Sequence, residues 1–124
     1  MIVIDTDVLI WVLRGNEEVK EKFERAIKET RGKLYITPVQ IAEIFAGMRK
    51  REELETRELL EAIPVIPIDR ETGELAGEFV RKFRKSHSVE LADALIAATA
   101  KKRGMKLWTY NKKHYPMLSE EEFY

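Results

Sequence analysis

Short β-branched runs alternate with longer amphipathic stretches along this chain. Four runs, IVID (2–5), KLYIT (33–37), PVIPID (64–69) and MKLWT (105–109), are almost unbroken in apolar or β-branched residues. That is the pattern of strands buried on both faces. Between them the apolar positions shift to helical spacing. Val19, Phe23, Ala26 and Ile27 place a helix over 17–31. Thr37-Pro38-Val39-Gln40 opens another, with Thr as N-cap, Pro in the first turn and Gln three residues after the cap, running to about Arg51. Residues 52–63 form a further helix. Asp69 caps one that runs to about Lys85, with Leu75, Ala76, Phe79, Val80 and Phe83 inward. Ser88 is the expected cap of the last long helix, which Gly104 stops after about Arg103. Asp7 is positioned to cap a short helix over 8–13. Strands alternating with helices predict an α/β fold, with a parallel sheet covered by helices. Ligands of such sheets bind beyond the carboxyl ends of the strands.

Several polar residues fall at those ends. Asp5 closes the first run, Thr37 closes the second and leads to Glu43, and Asn111 follows the fourth in WTYN. Asp93 stands in LADALIAATA, an otherwise apolar or small stretch. With Ser88 as cap, Asp93 is the fifth helical residue, beyond the reach of capping and of most of the helix dipole. Its neighbours at helical spacing are Val89, Ile96 and Ala97, with Glu90 the exception, and no basic residue lies three or four positions away. An acid in that setting needs a partner from elsewhere: an arginine, a hydrogen-bond network or a metal. Singly, each polar residue has a plain role: Asp5 as a strand end, Asp7 as a cap, Glu43 on a solvated face, Asn111 in a turn. Together they are three carboxylates and an amide from four segments at one end of a sheet. Carboxylates so gathered need a counter-cation to stay ionised. With no cysteine and only His87 and His114, which are expected at the surface, a metal would be held by oxygen, favouring Mg²⁺ or Mn²⁺. Such an ion orients and acidifies a water, and a second about 4 Å away clamps the oxygens of a phosphodiester.

The 124 residues suit one domain, 1–124. The chain has no cysteine, no apolar run of membrane-spanning length and no basic leader at its N-terminus, so the expected place is the cytoplasm, away from membranes. Net charge is zero, from 22 basic and 22 acidic residues, but residues 81–114 hold ten Lys/Arg against two acids. That third is a candidate footprint for a polyanion, RNA if the resemblance below holds, with Arg84, Lys85, Lys112 and Lys113 as the candidate contacts. Trp11 and Met48 are expected in the core, with a protein contact as the alternative.

The strand ending in Asp5-Thr6-Asp7, TPVQIAEIFAGM around Glu43, LADALIAATA around Asp93 and WTYN at Asn111 resemble, in order and spacing, a PIN domain. More narrowly they resemble the VapC toxins of toxin–antitoxin pairs. The resemblance implies a three-layer α/β/α fold with strand order 3-2-1-4-5, and a Mg²⁺- or Mn²⁺-dependent endoribonuclease. It assigns Asp5, Glu43 and Asp93 as core metal-binding acids, Asn111 as the fourth catalytic position, and Thr6 and Thr109 as supporting hydroxyls. Asp7 stands where relatives often carry Asn or Ser. The resemblance also implies a homodimer and a VapB-type antitoxin partner, with DNA bound only through that antitoxin.

Two other readings compete. A non-catalytic PIN-like binding module would have lost acids that are intact here. A haloacid-dehalogenase-type phosphatase would use Asp5 as nucleophile and Asp7 as acid, but Leu9 stands where that motif wants Thr or Val.

Overall fold

The computed structural model describes all 124 residues. Its sheet has three short parallel strands, β1 (Ile2–Ile4), β2 (Leu34–Tyr35) and β3 (Lys106–Trp108), in the order β2-β1-β3. Val3 of the central strand faces Tyr35 on one side and Leu107 on the other. Strand alternation divides the core into two. Ile2 and Ile4 pack on one face with Val8 and Leu9 of α1 (Thr6–Leu13), Val19 of α2 (Glu17–Thr30), Ile44 of α3 (Pro38–Gly47) and Leu60 of α4 (Glu53–Glu61). Val3 and Leu107 pack on the other face with Ala76 and Val80 of α5 (Arg70–His87) and Ile96 and Ala97 of α6 (Leu91–Lys102). Helices therefore cover both faces of a parallel sheet, as the residue pattern predicts. No helix is long and apolar enough to cross a membrane.

The expected five strands are not all formed. Of PVIPID, only Val65 pairs, in parallel with Ile36, and Phe123 pairs singly with Leu107 at the opposite edge. Pro64 and Pro67 lack N–H donors, which keeps that segment from extending its ladder.

Thr37 caps α3 in the expected capping box with Gln40, and Gln40 does more than cap. It is fully buried, and its Nε2 donates to the Ile4 carbonyl at 2.9 Å, tying α3 to the end of β1. The helix stops at Gly47, short of the expected Arg51. Met48 turns extended, and Lys50–Glu52 form a 3-10 turn.

Three caps differ from expectation. Asp5, not Asp7, is the N-cap of α1, which begins at Thr6. Ser88 caps the C-terminus of α5 in the left-handed conformation (φ 51°, ψ 40°), its N–H donating to the Arg84 carbonyl. α6 then starts at Leu91 with Glu90 before it, so Asp93 lies in its first turn rather than five residues in. The helix dipole therefore favours the carboxylate more than the sequence implies. Trp11 also departs from expectation, being 41% exposed, and Met48 is half-buried.

Candidate active site

Asp5 follows the central strand directly, and its carboxylate is the hub of the site. It is buried, and Oδ1 accepts the Thr6 N–H at 2.8 Å. Oδ2 accepts two hydroxyls, Thr109 Oγ1 and Tyr115 OH, each at 2.8 Å. Thr109 arrives on the end of β3, whose Trp108 carbonyl accepts the Asp5 N–H at 2.9 Å. The parallel pairing of β1 and β3 thus fixes this contact in register.

The other two acids reach the hub through hydroxyl groups. The Tyr115 hydroxyl lies 3.3 Å from Asp93 Oδ1 as well as 2.8 Å from Asp5. Thr6 Oγ1 donates to Glu43 Oε1 at 2.7 Å, holding an exposed glutamate of α3 against the start of α1. Asp5, Glu43 and Asp93 are therefore brought together as expected, from three separate elements. They are grouped loosely: no three acidic or histidine side chains already form a closed ligand set.

The electrostatics record this crowding. Burial, followed by the charge of Asp5, raises the Asp93 carboxyl to about 6; Glu43 also raises it, while His114 works against the shift. His114 Nδ1 stands 3.6 Å from Asp93 Oδ2. Burial and the adjoining carboxylates hold the Tyr115 phenol well above its ordinary range, so it remains a proton donor.

Asp7 and Asn111 form a neighbouring arrangement. Asp7 Oδ1 accepts the Val8 N–H, and Oδ2 accepts the Tyr110 N–H at 2.9 Å and Asn111 Nδ2 at 3.1 Å. Burial and the Asp5 charge raise Asp7 to about 6 as well. The side-chain amide of Asn111 is thus directed to Asp7 rather than to Asp5 or Asp93. Its backbone N–H donates to Thr109 Oγ1 at 3.0 Å, continuing the hydrogen-bond chain to Asp5.

Of the candidate RNA contacts, Arg84 and Lys85 are exposed on the last turn of α5. That turn leads to a hollow lined by His87, Glu90, Asp93 and His114. Lys113 is exposed, whereas Lys112 pairs with Glu120 at 2.7 Å.

The family model of the PIN domain matches residues 2–117. The chain belongs to the PIN domain family. Among proteins similar to this PIN domain is Ribonuclease VapC10 of Mycobacterium tuberculosis, 39% identical over 97% of this chain and 90% of that one. A toxin–antitoxin complex from Klebsiella pneumoniae contains a similar chain, with TM-score 0.75 and 26% identity, over 94% of this chain and 91% of its own length. VapBC2 from Rickettsia felis bound to a promoter DNA fragment shares the fold, with TM-score 0.79 and 18% identity, over 99% of this chain and 96% of that one. The family match sets aside the phosphatase reading. In this PIN domain Asp7 is, moreover, already committed to the 110–111 turn.

Two side chains at the site escape a reading of the sequence. Tyr115 resembles an ordinary core aromatic, and His114 a surface histidine. The spacing from Asn111 offered the available signal, because the Lys112–His114 3-10 turn folds both back toward the acids.

Proposed function

We propose that this PIN domain is a metal-dependent endoribonuclease of the VapC type, inhibited by a VapB-type antitoxin. The observation that carries the reading is the convergence of Asp5, Glu43 and Asp93 at the carboxyl edge of a parallel sheet, linked by the hydroxyls of Tyr115 and Thr6. The sequence likeness to Ribonuclease VapC10 supports the same reaction, and the likeness to the toxin–antitoxin complex supports the partner.

The residues fit a small oxygen-seeking cation. All three acids offer hard carboxylate oxygens, and their mutual repulsion, visible at Asp93, is relieved by positive charge. Asp5 and Asp93 would hold Mg²⁺ or Mn²⁺, with Glu43 joining them. When bound, such an ion supplies electrostatic stabilisation at the phosphate and an activated water. Asp5 is oriented by Thr6 N–H, Thr109 and Tyr115, so its carboxylate needs little reorganisation. Thr6 sets the position of Glu43. Asp7 and Asn111 brace the 110–111 turn that carries Thr109 to Asp5.

The test is cleavage of total tRNA and a mixed RNA pool by antitoxin-free protein with Mg²⁺, Mn²⁺ or EDTA, beside Asp5→Asn and Asp93→Asn. Metal-dependent cutting that both substitutions abolish is the expected result. No cutting of the host's own RNA under any metal would move the protein to the binding-module reading.

A further inference from the structure

A polymer cut at the acids must run outward across the surface. The basic third of the sequence is the obvious track, yet several of its cations are engaged. Lys101 pairs with Glu122 at 3.0 Å, Lys102 with Asp69 at 2.8 Å and Lys112 with Glu120 at 2.7 Å. Beyond Glu43 three cations gather at one place. Arg14, Arg49 and Arg51 line one hollow with Gly47 and Glu52, and none of the three arginines belongs to an ion pair. Glu52 is the only acid there, and its Oε1 accepts the Arg49 N–H at 2.9 Å. The hollow therefore keeps a positive surplus.

This arrangement follows from how two helices end. Arg14 is the C-cap of α1. α3 ends at Gly47, Met48 is extended, and the 3-10 turn after it carries Arg51 beside Arg49. A second hollow shares Arg14, Gly47 and Glu52 with the first and reaches Glu43, so the surface is continuous from Glu43 to the arginines. Beside it stands Trp11, 41% exposed, with the Arg14 guanidinium 5.9 Å from its ring centre. Unpaired arginines next to an exposed indole are what a single strand of nucleic acid uses: phosphates on the cations, a base on the aromatic face.

We propose that Trp11, Arg14, Arg49 and Arg51 form a track for single-stranded RNA leading away from Glu43. The arginines hold backbone phosphates beside the cleaved bond, and Trp11 stacks on a base. This rests on the ribonuclease reading. An acidic peptide would satisfy the arginines too, but the stacking surface and the continuity with Glu43 favour RNA.

The test uses full-length Asp5→Asn protein, which binds without cutting, and a short fluorescent single-stranded RNA of mixed sequence, titrated at several salt concentrations. Arg49→Ala with Arg51→Ala is expected to weaken binding and to flatten the slope of log K against log salt by about 1.4, roughly 0.7 per lost phosphate contact. Arg49→Lys with Arg51→Lys keeps the slope. Trp11→Ala weakens binding roughly 5- to 150-fold with the slope unchanged. All four side chains are exposed, and thermal melts of each variant confirm folding. If the parent binds RNA and these variants bind as well as the parent, the track is refuted while the ribonuclease reading stands. Variants that bind RNA normally but lose a glutamate-rich peptide would overturn it in favour of a protein-docking surface. If wild-type protein neither binds nor cuts RNA, both readings fall.

Discussion

The hydroxyl of Tyr115 lies between two carboxylates, 2.8 Å from Asp5 Oδ2 and 3.3 Å from Asp93 Oδ1. It has one proton to give, and the shorter contact is to Asp5. Tyr115→Phe keeps the ring against Phe123 but removes the one donor that the two acids share. Cleavage should fall roughly ten- to a hundredfold, about the worth of one hydrogen bond to a charged group. The Asp93 titration midpoint, followed by NMR, should rise, because the phenol's hydrogen bond lowers it.

Metal-free stability should depend on Asp93. Its folded pKa of about 6 lies above the ordinary 3.8, so the folded state binds the proton more tightly. That contribution to stability is complete below pH 4 and is lost as pH rises through 6. In EDTA at pH 7.5, Asp93→Asn should therefore unfold at a higher temperature than wild type. The gain should be on the order of 1–2 kcal/mol, discounted because the side chain is 20% exposed. At pH 4 the gain should disappear.

Adding Mn²⁺ should reverse that ranking. A ligand at about a hundred times its Kd stabilises the folded protein by about 2.7 kcal/mol. Thermal melts with and without Mn²⁺ should show this rise in wild type and its loss in Asp93→Asn. Thr6→Val, which releases Glu43 without disturbing the core, should give an intermediate rise.

Gln40 links the fold to the chemistry. Its Oε1 accepts the Thr37 N–H while its Nε2 donates to Ile4, the residue before Asp5. Gln40→Leu leaves both buried backbone groups without these partners and should cost about 2–4 kcal/mol in urea unfolding. Because α3 carries Glu43, activity should fall even at temperatures where the variant remains folded.

The acids were legible because each breaks a pattern: Asp5 ends an apolar strand, and Asp93 interrupts an apolar helix. The Thr37-Pro38-Gln40 signature was equally clear, since capping is a local device. Tyr115 was not legible. Its role depends on a contact with Asp5, 110 positions away in sequence. The basic third was legible only as a count of charges: that Lys101, Lys102 and Lys112 find acids across the fold, while Arg84, Lys85 and Lys113 stay exposed and outside any ion pair, depends on tertiary contacts. PVIPID read as a strand by its composition, whereas its prolines limit it to one bridge.

The left-handed turn at Ser88 also sets an angle. It turns the chain from α5 into α6 within three residues, and the buried face of α6, with Ala94, Ile96 and Ala97, fixes which way Asp93 points. Substitutions in this connection change little as long as the turn survives, and Ser88→Gly suits its backbone. Inserting one residue inside α6, between Asp93 and Ala94, would instead swing the acid about a quarter-turn against the buried face of the helix and away from Asp5. The PIN domain can therefore tolerate a different spelling of this corner, but not a shift in register between the acid and the helix face that carries it.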